Sequence, residues 1–167
     1  MKVRDIMTRR VDCCTPETDL GTVACLMWRR DCGAVPVIEP RTKKVIGMVT
    51  DRDICIGLGT SGKRPDERRV KEIIGERAYT VGADTDVREA MLTMQRHQVR
   101  RLPVTNRQGE LEGMLSLNDL ILHAENGGPT ETHVAIPDLM RTVRTICEHR
   151  ATALVPDDLP RAEVEVC

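Results

Sequence analysis

The chain has 167 residues, of which 40% are hydrophobic and 31% charged, and its formal net charge is −1. With no Phe, one Trp and one Tyr, it must fill its interior with aliphatic residues and methionine, and it lacks both the aromatic platforms and the long basic runs that nucleic-acid binding needs. No apolar run approaches the ~20 residues of a membrane span and the N-terminus MKVRDIMT is too charged for a signal peptide, so we expect a cytoplasmic protein.

The first third of the chain predicts two helices that flank a pair of strands. In chain order we predict an entry helix or turn, an extended piece, a helix, two strands and a second helix, at Val3–Thr8, Val11–Cys14, Thr18–Arg30, Ala34–Ile38, Val45–Val49 and Asp51–Leu58. The first long helix has the apolar spacing of an amphipathic helix, at Leu20, Val23, Ala24 and Met27. We expect Thr18 to cap this helix, Gly33 to end it, and Pro36 to restrict the next strand to an edge or strand-start position.

The same order returns after a linker. The segment Gly59–Arg69 is rich in glycine, proline and charge, which is typical of a solvated linker. A shift of 67 positions places Val3 on Val70 and Pro36 on Pro103. The second copy has its entry segment, helix stripe, strands and last helix at Val70–Ile74, Val87–Met94, Leu102–Thr105, Leu111–Leu115 and Leu117–Ala124. We therefore predict two homologous repeats, 1–58 and 70–124, packed about a pseudo-two-fold axis.

The remaining residues, 125–167, predict one more helix and a tail. Asn126–Pro129 breaks the chain, and Pro137 opens an amphipathic pattern, as proline often does at a first helical position. The apolar positions of this pattern are Leu139, Met140, Val143, Ile146 and Cys147. This face either packs on the protein's own repeats or adds to a dimer contact, and Ala151–Cys167 is predicted to be an extended arm.

Each repeat has a hydroxyl residue followed three positions later by a carboxylate, where its last strand meets its last helix. The sequences are GMVTDRD, with Thr50 and Asp53, and GMLSLND, with Ser116 and Asp119. One interpretation is a helix cap, because these residue types satisfy the exposed backbone N–H groups of a helix start. The other is a ligand site, because a helix N-terminus suits a phosphate and a carboxylate can accept two hydrogen bonds from a ribose diol.

The two repeats differ just before the first strand of each strand pair. Gly33 and Ala34 in the first repeat correspond to Arg100 and Arg101 in the second. Two adjacent arginines at a strand end suit an anion, although solvated surface charges would give the same pattern. Their position beside the repeated hydroxyl and carboxylate favours the anion.

The cysteines and histidines show neither a metal-binding nor a catalytic pattern. The seven cysteines lack zinc spacings, and most, including the helical Cys25 and Cys55, are interpreted as small buried apolar residues. A disulfide or a redox sensor is the alternative for Cys13, Cys14, Cys32 and Cys167. None of the four histidines recurs between the repeats beside a nucleophile, and no Gly-rich phosphate loop is present, so we expect no enzymatic activity.

With both copies laid out, the chain resembles a tandem CBS-domain protein of the short stand-alone bacterial type, the two-repeat unit often called a Bateman module. The matching stretches lie between residue 1 and about residue 124 and are VRDIMT, TPETDL, GAVPVIE and GMVTDRDI, then DTDVREAM, QVRRLPV and GMLSLNDL. The resemblance implies an α+β fold of two β-α-β-β-α units, whose sheets pack together and leave two clefts.

The resemblance also implies that adenine nucleotides bind in these clefts as ligands, with no obligatory cofactor. The helix-start aspartate of the family contacts the ribose hydroxyls and the serine or threonine lies near the phosphates. These roles fall on Asp53 with Thr50 and on Asp119 with Ser116. The pair Arg100–Arg101 matches basic residues that hold phosphate in the nucleotide-sensing subunit of AMP-activated protein kinase.

Adenine in this family sits in an apolar slot and is contacted by backbone groups of the entry segments. The candidate residues here lie within 7–13 and 74–80 and are Met7, Asp12, Cys13, Ile74 and Tyr79. Met48 and Met114 are candidate slot walls, with burial in the core as the alternative. Arg52 either adds a phosphate contact or is an exposed first-turn side chain. The pair Gly33–Ala34 departs from the family pattern of basic residues.

Three functions are consistent with the sequence. The leading hypothesis is a non-enzymatic regulatory module that binds an adenosine-type ligand, forms a homodimer and passes a change of shape to a downstream protein. The second is a structural or interaction homodimer with vestigial clefts. The third is a redox-responsive protein that uses Cys13 or Cys14.

Overall fold

The computed structural model of the protein describes residues 1–75, 78–125 and 133–148. The predicted chain break at Asn126–Pro129 and the predicted arm at Ala151–Cys167 lie outside these residues, as does Cys167. No helix in the described part of the chain is long and apolar enough to cross a membrane.

The first repeat contains a helix on either side of an antiparallel strand pair. Its elements are α1 (Val3–Ile6), β1 (Thr8–Arg9), α2 (Leu20–Arg30), β2 (Ala34–Ile38), β3 (Val45–Thr50) and α3 (Asp51–Ser61). In the β2–β3 pair Ala34 lies opposite Thr50, and Cys14 forms a parallel bridge to Val37. Cys14 therefore lies where the first strand of a β-α-β-β-α unit would lie.

The second repeat has the same order of elements. These are β4 (Val81–Gly82), α4 (Val87–His97), β5 (Arg101–Thr105), β6 (Leu111–Ser116) and α5 (Leu117–Leu122). The strand β4 runs parallel to β5, as Cys14 does to β2 in the first repeat. Ser116 lies opposite Arg101 in the β5–β6 pair, matching Thr50 opposite Ala34. The two repeats therefore fold alike, strand for strand.

The entry segment of each repeat packs on the other repeat. The strand β1 joins the sheet of the second repeat, whose strand order is β1-β6-β5-β4, and Thr8 lies opposite Met114. Val3 and Ile6 of α1 belong to the hydrophobic core of the second repeat, while Val70 belongs to the core of the first. Each core is thus completed by a segment that is distant in sequence.

The helix α6 (Ile136–Cys147) covers α4 of the second repeat, next to the short parallel pair β7 (Ala124–Glu125) and β8 (Val134–Ala135). Leu139 is buried in the second core, and Val143 and Ile146 pack against it. The fully buried hydroxyl of Thr142 accepts a hydrogen bond from the Gln95 side chain at 2.8 Å. Of the two predicted roles for this helix, the structure shows packing on the protein's own repeats.

Several predicted details of the helices are wrong. Asp19 caps α2 in place of Thr18, because its side chain accepts a hydrogen bond from the Thr22 N–H. The left-handed residue Asp31, with φ of 48°, ends α2 before Gly33 is reached. The helix α3 continues to Ser61, into the predicted linker, and α5 ends at Leu122 because Ala124 joins β7.

Three predicted burials in the helices are also wrong. Ala24, Cys25 and Cys55 are exposed. Cys25 follows Leu20 by five residues, a rotation of about 140° that carries it away from the buried stripe. In α6 Met140 and Cys147 are exposed as well.

Candidate functional site

A cleft of about 600 Å³ opens between the two repeats. One wall comes from the second repeat and contains the pair Arg100–Arg101, Met114 and the start of α5 from Ser116 to Asp119. The other wall comes from the first repeat and includes Thr8, the segment 10–12, the end of α2 and the start of β2. A ligand in this cleft would therefore contact both repeats.

The start of α5 is fixed by a reciprocal set of hydrogen bonds. The Ser116 backbone N–H and hydroxyl both donate to Oδ2 of Asp119, at 2.7 and 2.6 Å, and the Asp119 N–H lies 3.3 Å from the Ser116 hydroxyl oxygen. This arrangement is a capping box, so the helix-cap interpretation is confirmed. The cap also holds the carboxylate at the edge of the cleft, so capping and ligand binding are compatible.

The entry segment reaches the same carboxylate. The Thr8 hydroxyl donates to Oδ1 of Asp119 at 3.3 Å. This contact is possible because Gly113 lets β1 approach β6 closely: a Cβ at Gly113 would lie 2.6 Å from the Thr8 carbonyl oxygen and 3.1 Å from Sδ of Met7. Any larger residue at position 113 would therefore force β1 and β6 apart.

The start of α3 has the same geometry in the first repeat. The Thr50 N–H and hydroxyl donate to Oδ2 of Asp53 at 2.9 and 2.7 Å, and the Asp53 N–H donates to the Thr50 hydroxyl at 3.1 Å. Neither residue lines the cleft that contains Arg100. The structure therefore separates the two repeated pairs and places only the second one beside the arginines.

The arginine pair is positioned by the backbone of β5 and α5. Arg101 is the first residue of β5 and lies opposite Ser116, and the Leu117 N–H donates to the Arg100 carbonyl at 2.9 Å. Both guanidinium-bearing residues line the cleft. The predicted juxtaposition of Ser116, Asp119 and the arginines is thus present in one place.

Two further arginines line the cleft from the first repeat, and sequence reasoning missed both. Arg10 adopts the left-handed region with φ of 54°, a conformation that is uncommon for a side-chain-bearing residue. Arg30, at the end of α2, forms an ion pair with Asp12. Neither has a local sequence signal, because the fold brings them to the second repeat's helix start over long sequence separations.

Two segments of the chain, residues 3–58 and 70–126, match the family model of the CBS domain. Together they cover more than half of the chain. The chain belongs to the CBS-domain family.

Proteins similar to this CBS protein include short bacterial chains. The CBS domain-containing protein YhcV of Bacillus subtilis is 32% identical over 136 residues, which are 80% of this chain and 94% of YhcV. The Hypoxic response protein 1 of Mycobacterium tuberculosis (strain H37Rv) is 33% identical over 120 residues, which are 72% of this chain and 82% of that protein. Both similarities extend over most of the relatives' length.

Solved structures share the fold. A crystal structure of Hypoxic Response Protein I with two coordinated zinc ions has a TM-score of 0.67 at 32% identity and covers 74% of this chain and 98% of that one. A crystal structure of CBSX2 in complex with AMP has a TM-score of 0.62 at 22% identity and covers 72% of this chain and 93% of that one. These likenesses confirm the predicted α+β fold of two CBS repeats.

The remaining candidate residues lie in different places. Asp12 and Ala34 line the cleft, and Met114, 7% exposed, forms part of its wall and of β6. Met48 is partly buried on β3, outside the cleft, and Arg52 is exposed in the first turn of α3.

The entry-segment candidates are also dispersed. Met7 packs on the second core and Ile74 on the first. Tyr79 stacks on the His97 ring, with 3.7 Å between centroids. Cys13 is exposed, and none of these four residues lines the cleft. Their predicted contact with adenine stays a prediction.

The neighbouring cysteines are poorly suited to redox chemistry. Burial raises the pKa of the Cys14 thiol to about 12, with a further contribution from Cys13. Burial and then the Asp12 carboxylate raise the pKa of the Cys13 thiol. Because the thiolate is the reactive form, both groups are less reactive than an ordinary thiol. In the described part of the chain no cluster of three or more His, Cys, Asp or Glu could hold a metal ion.

Proposed function

We propose that this CBS protein is a non-enzymatic regulatory module that binds an adenine nucleotide in the cleft between its repeats. The observation that carries the proposal is the presence of a helix start with a hydroxyl and carboxylate, and of two adjacent arginines, in one cleft of about 600 Å³. A carboxylate is a suitable acceptor for a ribose diol, and guanidinium groups are suitable donors to phosphate oxygens.

In the proposed complex the residues of both repeats share the ligand. Asp119 receives the ribose hydroxyls, Arg100 and Arg101 bind the phosphate, and Met114 contacts the adenine. The cleft volume lies within the 300–1,000 Å³ range typical of small-molecule sites. The complex of the related fold in CBSX2 with AMP supports an adenine nucleotide as the ligand class.

A thermal-shift screen tests the proposal. The protein is heated with AMP, ADP, ATP, NAD, S-adenosylmethionine, guanine nucleotides or adenosine. A ligand at 100 times its dissociation constant should add about 2.7 kcal/mol to the stability. Stabilisation by at least one adenine compound, and not by its guanine counterpart, is the expected result. A flat response to every compound at millimolar concentration would instead support the structural role with vestigial clefts.

The same screen distinguishes nucleotide binding from the redox-responsive alternative. A redox-responsive protein would change its melting temperature on addition of reductant or oxidant rather than of nucleotide. The raised pKa values of Cys13 and Cys14 argue against this role.

We further propose a homodimer that uses the outer face of α2. Ala24, Cys25 and Trp28 are exposed on this face, and Trp28 is 88% exposed. The α4 counterparts of Ala24 and Trp28, Met91 and Gln95, pack against α6, whereas Leu92, the counterpart of Cys25, is 53% exposed. An apolar helix face that is covered in one repeat and open in the other favours a second copy of the chain as its cover. In this proposal the dimer presents its clefts to a downstream protein that has yet to be identified.

A further inference from the structure

The starts of α3 and α5 make the same backbone hydrogen bond to the residue just before the first strand of their repeat's strand pair. The charged side chains around the two helix starts differ in sign. The Asp51 N–H donates to the Gly33 carbonyl at 3.3 Å, as the Leu117 N–H donates to the Arg100 carbonyl at 2.9 Å. Gly33 is thus the structural counterpart of Arg100, and Asp51 that of Leu117.

The side chain of Asp51 occupies the space where an arginine starts in the other repeat. A Cβ placed on Gly33 would lie 2.8 Å from Oδ2 of Asp51. The same carboxylate accepts a hydrogen bond from the Arg52 N–H at 2.7 Å through Oδ1. In the second repeat the counterpart of this carboxylate is the uncharged side chain of Leu117, which lines the cleft. A carboxylate therefore stands in the first repeat where a guanidinium emerges in the second.

The net charge at the matched positions differs in sign. In the first repeat the positions hold two acids and one arginine, namely Asp51, Asp53 and Arg52, beside Gly33 and Ala34. In the second they hold two arginines and one acid, namely Arg100, Arg101 and Asp119, beside Leu117 and Asn118. Even with Arg52 counted in full, the first helix start is negative and the second positive. Like charges a few ångströms apart repel each other, so a carboxylate at this position opposes a phosphate.

We infer that Asp51 excludes phosphate from the helix start of the first repeat, so that the chain binds one phosphate-bearing nucleotide, in the cleft of Arg100. This inference rests on the proposed function and specifies which of the two repeats accepts a phosphate-bearing ligand. A hydroxyl and carboxylate pair is present in both repeats, and at the matched positions just compared the second repeat adds two arginines that line a cleft with this pair.

Isothermal titration calorimetry with AMP tests the inference. The wild-type chain should bind about one AMP per chain. Asp119→Ala should weaken that event at least about 10-fold, and Asp53→Ala should leave it within about 2-fold. Leu117→Asp, which copies Asp51 into the second repeat, should also weaken AMP at least about 10-fold and change adenosine binding little. Leu117→Asn is the uncharged counterpart of Leu117→Asp, so the difference in AMP affinity between these two variants measures the effect of the added charge.

The reverse experiment copies residues of the second repeat into the first. Gly33→Arg combined with Asp51→Leu copies the second repeat's pair and should raise the stoichiometry to about two AMP per chain. Asp51→Asn alone removes the charge with little change of shape and covers the case in which the double variant fails to fold. It should give a second, weaker AMP event that wild type lacks. Circular dichroism verifies the fold of each variant.

The outcomes separate the two proposals. Absence of any AMP or adenosine binding by wild type would overturn the proposed function. Binding of two AMP per wild-type chain would overturn only the exclusion by Asp51. The exclusion is also wrong if Asp51→Asn and the folded double variant both keep the wild-type stoichiometry, or if Leu117→Asp binds AMP as well as Leu117→Asn does.

Discussion

Arg100 is the residue on which the proposed phosphate contact depends most. Its guanidinium-bearing side chain lines the cleft, and its carbonyl is tied to the start of α5 through Leu117. This backbone tie means that the arginine and the helix start move together. Removing the side chain therefore tests the phosphate contact while the backbone hydrogen bond is retained.

We expect Arg100→Ala to lower AMP affinity by about 1.5 to 3 kcal/mol, the range for hydrogen bonds to charged groups. Adenosine, which lacks the phosphate, should bind wild type and variant alike. Arg100→Lys should recover only part of the loss, because a point charge replaces a planar fork that can grip two oxygens. Added salt should weaken AMP and leave adenosine nearly unchanged. Calorimetry of wild type and the two variants, each with AMP and with adenosine, measures this. An equal loss for AMP and adenosine would show that Arg100 shapes the cleft instead.

Among the elements, the strand β1 lies unusually close to its neighbour β6. Gly113 in β6 faces the backbone of β1 so closely that a Cβ would lie 2.6 Å from the Thr8 carbonyl oxygen. A backbone atom cannot move aside as a flexible side chain can. The pairing of β1 with β6, and with it the hydrogen bond from Thr8 to Asp119, therefore requires glycine here.

We expect Gly113→Ala to destabilise the protein by about 1 to 3 kcal/mol, the usual cost of overpacking. Gly59→Ala is the matched control, because Gly59 lies in α3 with no atom within 4 Å of an added Cβ. It should stabilise by up to about 1 kcal/mol through helix propensity. Urea unfolding followed by circular dichroism compares the two. A Gly113→Ala protein as stable as wild type would show that β1 can shift without cost.

The elements also show why sequence predicts some features and not others. The capping pairs Thr50–Asp53 and Ser116–Asp119 were predictable because their hydrogen bonds span three residues. The exposure of Cys25 follows from helix geometry, because its position lies about 140° around α2 from Leu20, although cysteine as a residue type is usually buried. The positions of Arg10 and Arg30 in the cleft depend on packing between repeats, for which a single sequence has no local signal.

At the scale of the whole molecule, α6 makes the two repeats unequal. It packs on Met91 and Gln95 of α4, whereas the matching residues of α2, Ala24 and Trp28, are exposed. Within the described residues, the two similar halves therefore differ at this helix face. This inequality gives the proposed dimer a defined surface.

We expect light scattering to give twice the 18.7 kDa chain mass at micromolar concentration. Trp28 is the single tryptophan of the chain, so its fluorescence reports on this face directly. Dilution should shift its emission to longer wavelength as the indole becomes hydrated. Trp28→Glu should give a monomer, whereas Met140→Glu, at a 58% exposed position on α6, should remain dimeric. A monomeric wild type, or a dimer that survives Trp28→Glu, would place the interface elsewhere or remove it.

The exchange of entry segments also has a consequence for synthesis of the protein. Thr8 emerges from the ribosome early, yet its partner Met114 follows more than 100 residues later. At translation rates of about 5 to 20 residues per second, the nascent N-terminal strand waits roughly 5 to 20 s for its neighbour. During this interval Val3 and Ile6, which are buried in the finished protein, have no core to enter. Co-translational folding of this chain is therefore completed only when the second repeat emerges, and the cleft forms at the same moment.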